Sequence, residues 1–157
     1  VILAEQDRRQ WDRAQLRLGM KLLSASAQGD QLSRYHIEAG IAACHSLAKS
    51  YATTDWSHIA KLYGQLETVA PSPAVSINRA IAIARADGAN AGLAHLTDHV
   101  DAKAVESYHL FHAARADMLS ELNDPSALSV YQRALDLAPL AAERRTLRRR
   151  MADLAEN

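Results

Sequence analysis

The sequence contains little cysteine and no long apolar run. Cys44 is the single cysteine among 157 residues, so the chain cannot form an internal disulfide or a zinc site built from cysteines. So low a cysteine content suits a reducing compartment. No apolar run approaches the roughly 18 residues that a membrane-spanning helix requires, and no segment has the form of a secretion signal. We therefore expect a cytoplasmic protein.

The chain also lacks an excess of either charge. Eighteen lysines and arginines balance eighteen aspartates and glutamates, which leaves a formal net charge of zero. Without a net charge, no overall field draws the molecule towards nucleic acid or a membrane surface. Any contact with a polyanion must then be local.

The signatures of catalytic and metal sites are missing as well. The sequence has no glycine-rich phosphate loop, no HExxH motif and no strand that would hold a nucleophile. Cys44, His45 and Ser46 are adjacent, and adjacent helical residues point roughly 100° apart, so they cannot pair as nucleophile and base. His95 and His99 share one helical face, but no third metal ligand is convincingly placed, which favours a pair of surface histidines near a loop. We expect neither an enzyme nor a bound metal or other cofactor.

What the sequence does contain is helical periodicity. Apolar residues recur at helical spacing in nearly every segment, and no segment alternates with the period of two that marks a half-buried strand. With 48% hydrophobic and 23% charged residues, the chain can bury a proper core as one domain. The pattern therefore predicts an all-α fold. Eight helices are expected at about 5–27, 31–49, 55–70, 73–87, 89–100, 104–122, 125–138 and 140–155.

The predicted helix boundaries carry recognisable start and stop signals. Asp30, Asp55 and Asp124 are each placed to accept hydrogen bonds from the free amides at the start of a helix. Pro73 and Pro125 suit a first helical turn. Short polar breaks separate the helices: "QGD", "ATTD", "APSP", "DGAN" and "NDPS". Because connections this short force neighbouring helices to lie antiparallel, the chain is predicted to form a stack of helical hairpins.

One of these helices carries the spacing of a repeat. In residues 127–139, "ALSVYQRALDLAP", the spacing A-x3-Y-x2-A-x4-P is that of the second helix in the roughly 34-residue tetratricopeptide repeat (TPR). Sixty-eight residues earlier, "IAKLYGQLETVAP" keeps the tyrosine and the proline in register. The intermediate copy is degenerate, with Leu93, Thr97, Val100 and Val105 at the matching positions. We expect a TPR-like stack, with an irregular helical bundle as the alternative.

Six segments together resemble a known family. In chain order they are "EQDRRQWD", "IEAGIAACHS", "TTDWSHIAKLYGQL", "APSPAVSINRAIAIA", "YHLFHAARADMLSEL" and "AERRTLRRRMADL". Over essentially the whole chain, the set is similar to the C-terminal extension of one group of extracytoplasmic-function sigma factors, in which a TPR-like helical domain follows the promoter-binding sigma regions. The resemblance implies a bacterial transcription factor whose DNA-binding and polymerase-binding regions lie upstream of Val1. It also implies that the extension controls the sigma core in place of a separate anti-sigma factor.

Residues 1–157 are predicted to form a single TPR-like domain of a longer protein. The chain starts without a methionine, and a charged amphipathic helix begins almost at once. Residues 1–29 are expected to form a lead-in helix that would join the sigma core. Residues 30–139 are expected to form the helical hairpins, and residues 140–157 a C-terminal capping helix, since a terminal hairpin needs a polar outer face.

Each end of the domain carries a candidate contact surface. Asp7, Arg8 and Trp11 are candidates to contact the sigma core, although Trp11 can equally be a packing residue on the second helix. The last helix is expected to direct its apolar side chains to the body of the domain and its arginines mostly outward: Arg144, Arg145, Arg148, Arg149 and Arg150. Such a basic cap can meet DNA phosphates or an acidic polymerase surface, or it can be the solvated face of a terminal helix.

The concave groove of the stack is the third candidate surface. In a TPR-like stack the first helix of each hairpin lines this groove, so residues one period apart form ladders across it. Steps of about 34 residues give two ladders: Cys44, Asn78, His112, and Ile41, Val75, His109. The candidate partner-binding residues are Asn78, Arg79, His109, His112 and Arg115. The alternative is that these polar side chains are satisfied by neighbouring helices, with Arg79 and Arg115 in intramolecular ion pairs.

The resemblance and the groove predict a function. We expect a regulatory domain that modulates transcription initiation through protein contacts, in cis with the sigma-factor core regions or with RNA polymerase. Promoter DNA would be contacted only through the absent upstream regions. The alternative is a free-standing TPR-like scaffold that binds a peptide or a partner protein in its concave groove.

Overall fold

The structure is a computed structural model that describes residues 11–26 and 33–155, and every regular element in these two ranges is an α-helix. The helices are α1 (Arg13–Ser26), α2 (Arg34–Leu47), α3 (Trp56–Val69), α4 (Pro73–Asp87), α5 (Ala89–His99), α6 (His109–Glu121), α7 (Ala127–Leu137) and α8 (Ala141–Ala155). The predicted all-α fold of about eight helices is confirmed. Within the described ranges, no helix has the length and apolar character needed to cross a membrane.

Most predicted boundaries agree with the structure to within a few residues, but the starts of α1 and α6 do not. The first helix was predicted from residue 5, whereas Trp11 and Asp12 are not helical and α1 begins at Arg13, because the Asp12 side chain accepts from the amides of Ala14 and Gln15 and caps the helix there. The start of α6 differs as well. The prediction placed it at 104, whereas α6 begins at His109. Residues 101–107 form turns instead, and Val105 lies in them with only 2% of its surface exposed. Its apolar side chain packs into the core although the residue lies in a turn. Apolar periodicity alone predicts such a residue to be part of a helix. At the other end of the chain, Asp30 and the first residues of the predicted lead-in helix lie outside the described residues.

Local hydrogen bonds explain where the helices start and stop. The Asp55 side chain accepts from the amide of His58 at the start of α3, as predicted for an N-cap. After α6, Asn123 adopts a positive φ of 55°, and the amide of Asp124 donates to the carbonyl of Leu119. This is the Schellman arrangement that ends many helices. Gly88 has a φ of 98° and joins α4 to α5 with a single residue.

The helices stack as antiparallel hairpins. Each helix packs against the next one along the chain, and α4 also contacts α6. The hairpins are α2 with α3, α4 with α5, and α6 with α7, and α8 closes the stack. Arg85 near the end of α4 pairs with Glu121 at the end of α6, while His109 at the start of α6 lies beside Glu143 at the start of α8. The helices α4, α6 and α8 therefore run in the same direction, side by side.

Three clusters of buried apolar side chains follow one another along the stack. The first joins α2, α3 and α4 around Ile59. The second joins α4, α5 and α6 around Ala80 and Met118, and the third joins α6, α7 and α8 around Tyr131 and Leu147. Each cluster is thus built from neighbouring helices only, as in repeat proteins whose hairpins bury their faces against one another.

The degenerate middle copy of the repeat has a structural explanation. On α7 the repeat positions Ala127, Tyr131 and Ala134 are all buried. The helix α5 ends at His99, so the matching positions 100 and 105 fall in the long connection to α6, although both side chains are buried. In the middle hairpin, two of the buried repeat positions therefore lie in a loop and not on a helix. The spacing of the repeat is lost there for that reason.

Candidate functional site

A cleft of about 410 Å³ opens on the face of the stack where α2, α3, α4 and α8 meet. The lining side chains are His45, Tyr51, Trp56, Ile59, Tyr63, Asn78, Ile81, Ala82, Arg85 and Arg150. They divide into an apolar floor, an aromatic wall and a polar rim. A volume of this size is within the range of roughly 300–1,000 Å³ that is typical of ligand sites in proteins.

The aromatic wall is built around Trp56, the first residue of α3. Its ring meets Tyr51 edge to face, with ring centroids 5.0 Å apart, and meets His45 in the same way at 5.3 Å. Edge-to-face pairs are a favourable geometry for aromatic rings and hold one another in place. Asp55 caps α3 directly before Trp56 and thereby fixes the direction in which the helix begins.

The rim of the cleft carries two arginines that are held from behind by α6. Arg85 pairs with Glu121, and Nη1 of Arg150 lies 2.6 Å from each carboxylate oxygen of Asp117. Neither of these carboxylates lines the cleft, and among the described residues that do line it there is no aspartate or glutamate. At this end of the cleft, each guanidinium group is therefore paired with a carboxylate of the neighbouring helix α6.

Asp117 is the centre of the network that fixes α8. The hydroxyl of Tyr131 donates to Asp117 at 2.5 Å, in addition to the contacts from Arg150. Burial raises the pKa of Asp117, while Arg150 and the Tyr131 hydroxyl act in the opposite direction. Burial also raises the pKa of Tyr131, and the neighbouring carboxylate adds to this shift, so the phenol stays protonated and donates. The network joins α6, α7 and α8 and places Arg150 at the cleft.

Two of the predicted groove residues are neighbours in sequence but lie in different surroundings. Asn78 is exposed and lines the cleft. Arg79 is half-buried between α3 and α4, where it donates to Glu67 at 2.5 Å. This ion pair is the alternative that the sequence left open for Arg79.

The other predicted groove residues lie away from the cleft. The Nε2 of His109 lies 3.3 Å from Oε1 of Glu143, and the Nε2 of His112 lies 2.8 Å from the carbonyl oxygen of Glu106. Both histidines lie in the first turn of α6. The two α6 carboxylates that pair with the arginines of the cleft lie further along the helix, at Asp117 and Glu121. Arg115 is exposed on the same helix. The structure therefore does not bring these three side chains together with Asn78.

His95 corrects the interpretation of the histidine pair on α5. The sequence favoured two surface histidines, but His95 is only 8% exposed and its Nε2 lies 3.7 Å from Oε1 of Glu67. Its ring stacks on that of His99, with centroids 4.2 Å apart. Burial lowers the pKa of His95, and His99 lowers it further. In the described ranges there is no group of three or more His, Cys, Asp or Glu side chains suited to a metal ion.

The contact candidates at the start of the chain are only partly described. Asp7 and Arg8 lie outside the described residues. Trp11 is half-buried and lines a second cavity of about 530 Å³ between α1 and α2, together with Leu16 and Ala39. Its position is compatible with packing on the second helix and with contact to a further region, and both predictions stand.

The arginines of α8 do not all face outward. Arg144 donates to the carbonyl oxygens of Ala138 and Pro139, at 2.9 Å and 3.2 Å, and so caps the end of α7. Arg150 points inward to its contacts at the cleft. The remaining arginines of the predicted basic cap are exposed: Arg145, Arg148 and Arg149. The predicted outward direction is wrong for Arg144 and Arg150, because the carbonyls at the end of α7 and the half-buried carboxylate of Asp117 on α6 both need a donor.

The sequence interpretation missed the arginine rim of the cleft. A usable signal was present, because Arg85 and Glu121 are 36 residues apart, and Asp117 and Arg150 are 33 apart. Both spacings are close to one repeat, so opposite charges one period apart indicate ion pairs between adjacent helices of the stack. The aromatic wall had no comparable signal, because Tyr51 lies in a connection whose path the sequence pattern does not define.

Comparison with known proteins gives one informative match. The chain is 33% identical over 156 residues to an uncharacterized protein of Rhizobium meliloti (strain 1021). The match covers 99% of this chain and 36% of the relative, so the chain spans about a third of the length of the curated relative it matches. No family model matches the chain, and no solved structure matches it.

Proposed function

We propose that this chain is the regulatory C-terminal domain of a bacterial extracytoplasmic-function sigma factor. It works in the cytoplasm and modulates transcription initiation through protein contacts, in cis with the sigma core or with RNA polymerase. It is not an enzyme and uses no cofactor. Promoter DNA is contacted by other regions of the longer protein.

The observation that carries this proposal is the cleft. Its floor and wall offer apolar and aromatic surface, and its rim offers an amide and two guanidinium groups. This combination suits a peptide segment, since apolar side chains enter the wall and polar groups fix the register. The stack holds the lining residues on four helices and one connection, so the surface is formed before a partner arrives.

The length of the relative is compatible with this proposal. Because the match covers 36% of the relative, about two thirds of that protein lies outside the matched part. The resemblance to sigma-factor extensions accounts for such a length, since the extension is preceded by promoter-binding regions.

The first test is the reading frame upstream of Val1. A sigma-type helix-turn-helix encoded in phase with this domain supports the proposal, and its absence removes it. The second test is a promoter-reporter assay that compares the full-length protein with a version that stops before Val1. Equal transcription from the two would show that the domain does not regulate the sigma core.

A free-standing scaffold is the second candidate function. It is favoured by the same cleft, because an apolar and aromatic surface with a polar rim also suits a peptide of a separate protein. A scaffold would bind a peptide of a separate protein, and no sigma-type region would be encoded upstream. The same reading-frame test therefore separates the two candidates.

A further inference from the structure

We infer that α5 is a proton-sensitive element of the stack, which opens away from α3 and α4 when His95 takes up a proton in mildly acidic solution. His95 lies on α5 where side chains of α3 and α4 meet it, and only 8% of its surface is exposed. Such a device makes the conformation of the middle hairpin depend on pH. It does not depend on which partner the cleft binds.

Three other ionisable side chains surround His95. Glu67 faces it from α3 and Arg79 from α4, while His99 lies one turn further along α5 itself. Oε2 of Glu67 pairs with Nη1 of Arg79, and Nε2 of His95 lies 3.7 Å from the other carboxylate oxygen, Oε1. The helix α6 also packs against α5, and it contributes apolar side chains such as Met118 to the adjoining core.

The hydrogen bonds of this cluster are incomplete. Oε1 of Glu67, Nε of Arg79 and Nε2 of His95 are all buried, and none of the three atoms has a hydrogen-bond partner among the described residues. The 3.7 Å between His95 and Glu67 is too long for a direct hydrogen bond. Buried polar atoms without a partner lower the stability of the folded state. The polar contact at His95 therefore holds α5 in place only weakly.

A proton on His95 adds a positive charge that the cluster does not compensate. Arg79 is already positively charged, and the ring of His99 stacks on that of His95 with centroids 4.2 Å apart. Glu67 is the single carboxylate among the described side chains of the cluster, and it is paired with Arg79. Burial lowers the pKa of His95 and His99 lowers it further, against the opposing effect of Glu67. The proton binds more readily once the ring reaches water, so acid favours an open α5.

The flanks of α5 allow it to open without the rest of the stack. Gly88, at a φ of 98°, is the one residue between α4 and α5. At the other end, residues 100–108 connect α5 to α6 without forming a helix. A helix of 11 residues between a glycine and such a connection can open as a unit, as local segments of folded proteins do.

The experiment is hydrogen–deuterium exchange of the full-length protein at pH 7.5 and pH 5.5, measured by mass spectrometry of peptides. Exchange rates are corrected for the intrinsic effect of pH on amide exchange. A histidine that is neutral in the closed state and has its ordinary pKa in the open state shifts the equilibrium about tenfold over this range. We therefore expect the corrected exchange of amides in α5 to be about three- to tenfold faster at pH 5.5.

Low concentrations of urea separate local opening from unfolding of the whole stack. Local opening exposes little surface, so exchange that occurs through it depends only weakly on urea. At pH 5.5 we expect this weak dependence for α5 and a steep one for the slowest amides of α7, which need the stack to unfold. A dependence as steep in α5 as in α7 would show that no separate opening of α5 exists.

Three histidine variants identify the group that takes up the proton. His95→Gln cannot take it up, so exchange in α5 should become nearly independent of pH. His99→Gln removes the stacked ring that disfavours the proton, so the response to pH should be smaller than in the unchanged protein. His58→Gln is the control, because His58 is exposed on α3 outside the cluster, and it should keep the full response.

Other outcomes would overturn the inference. Exchange in α5 that does not change with pH, or that keeps the full response in His95→Gln, excludes His95 as the sensor. A full response in His99→Gln contradicts the role of the stacked rings, and a response lost in His58→Gln assigns the proton to a different helix. If His95→Gln is unfolded at pH 7.5, the His99→Gln variant decides the question, since His99 is exposed.

Discussion

Replacing Gly92 by alanine tests whether the stack depends on the close approach of α4 and α5. A Cβ placed on Gly92 would lie 2.6 Å from the Cβ of Ala84, 2.9 Å from the carbonyl oxygen of Ala80 and 3.0 Å from Sδ of Met118. Carbon atoms in good contact are about 3.5–4.0 Å apart, so the first of these distances is about 1 Å too short. Two of the three neighbouring atoms are fixed to the backbone of α4, and no rotamer change can move them.

The expected magnitude follows from two opposing effects. Extra atoms in a well-packed core cost about 1–3 kcal/mol, while alanine in a helix interior is favoured over glycine by about 1 kcal/mol. Because two of the contacting atoms cannot move aside, the packing cost should lie in the upper half of that range, and we expect Gly92→Ala to lower the free energy of unfolding by about 1–2 kcal/mol. For a domain of this size that corresponds to a decrease in Tm of about 2–8 °C.

The control is Gly19→Ala on α1, where an added Cβ would have no neighbour within 4 Å. That variant gains helix propensity without a clash, so its Tm should be unchanged or higher. The measurement is thermal unfolding of the two variants, followed by circular dichroism. Equal Tm values for Gly92→Ala and Gly19→Ala would refute the close packing. Gly92→Ala should also cost less in an Ala84→Gly background, because that change removes the shortest contact.

The remaining predictions concern the polar contacts between helices. Tyr131→Phe removes a hydrogen bond to the half-buried Asp117 and should lower the free energy of unfolding by about 1–3 kcal/mol, measured by urea titration. An unchanged midpoint would contradict the network. Because burial holds the pKa of His95 below its ordinary value of 6.5, the folded state binds fewer protons than the unfolded state just below that pH. The free energy of unfolding should therefore decrease as the pH falls below about 6.5, and His95→Gln should reduce that decrease; a His95→Gln variant with the original pH dependence would exclude this residue. A double change of His109 and His112 to alanine should lower the free energy of unfolding by about 1–3 kcal/mol, because both rings contact neighbouring elements. An unchanged thermal melting curve would show that these contacts do not contribute to stability.

The helices and their order followed from the sequence because they depend on local signals. The capping residue Asp55 and the break at Gly88 act within a few positions of the helix ends they define. The start of α6 was wrong because Val105 is buried by tertiary packing from a loop, and an apolar residue gives the same signal whether it lies on a helix or in a turn. Local pattern therefore identifies elements well and loop residues of the core poorly.

The candidate site was predicted less completely because its residues come together only through the stack. Asn78 was found by counting one repeat along the chain, and it lies in the cleft. The same counting placed His112 beside it, but the hairpins do not repeat at a constant length, so the error in register grows along the chain. The prediction that Arg150 faces solvent failed because nothing in the local sequence indicates that a half-buried carboxylate 33 residues earlier binds it.

Regulation through the cleft is tested most directly by a promoter-reporter assay of the full-length protein with Asn78→Ala. Asn78 and Asn90 are both exposed helical asparagines, but only Asn78 lines the cleft, so Asn90→Ala is the matched control. Exposed substitutions of this kind change stability by less than about 0.5 kcal/mol, so both variants should melt like the unchanged protein. The loss of one hydrogen-bonding side chain from the contact predicts a change in transcription of about twofold to tenfold for Asn78→Ala and none for Asn90→Ala. Transcription that is the same in both variants and in the unchanged protein would contradict regulation through this cleft.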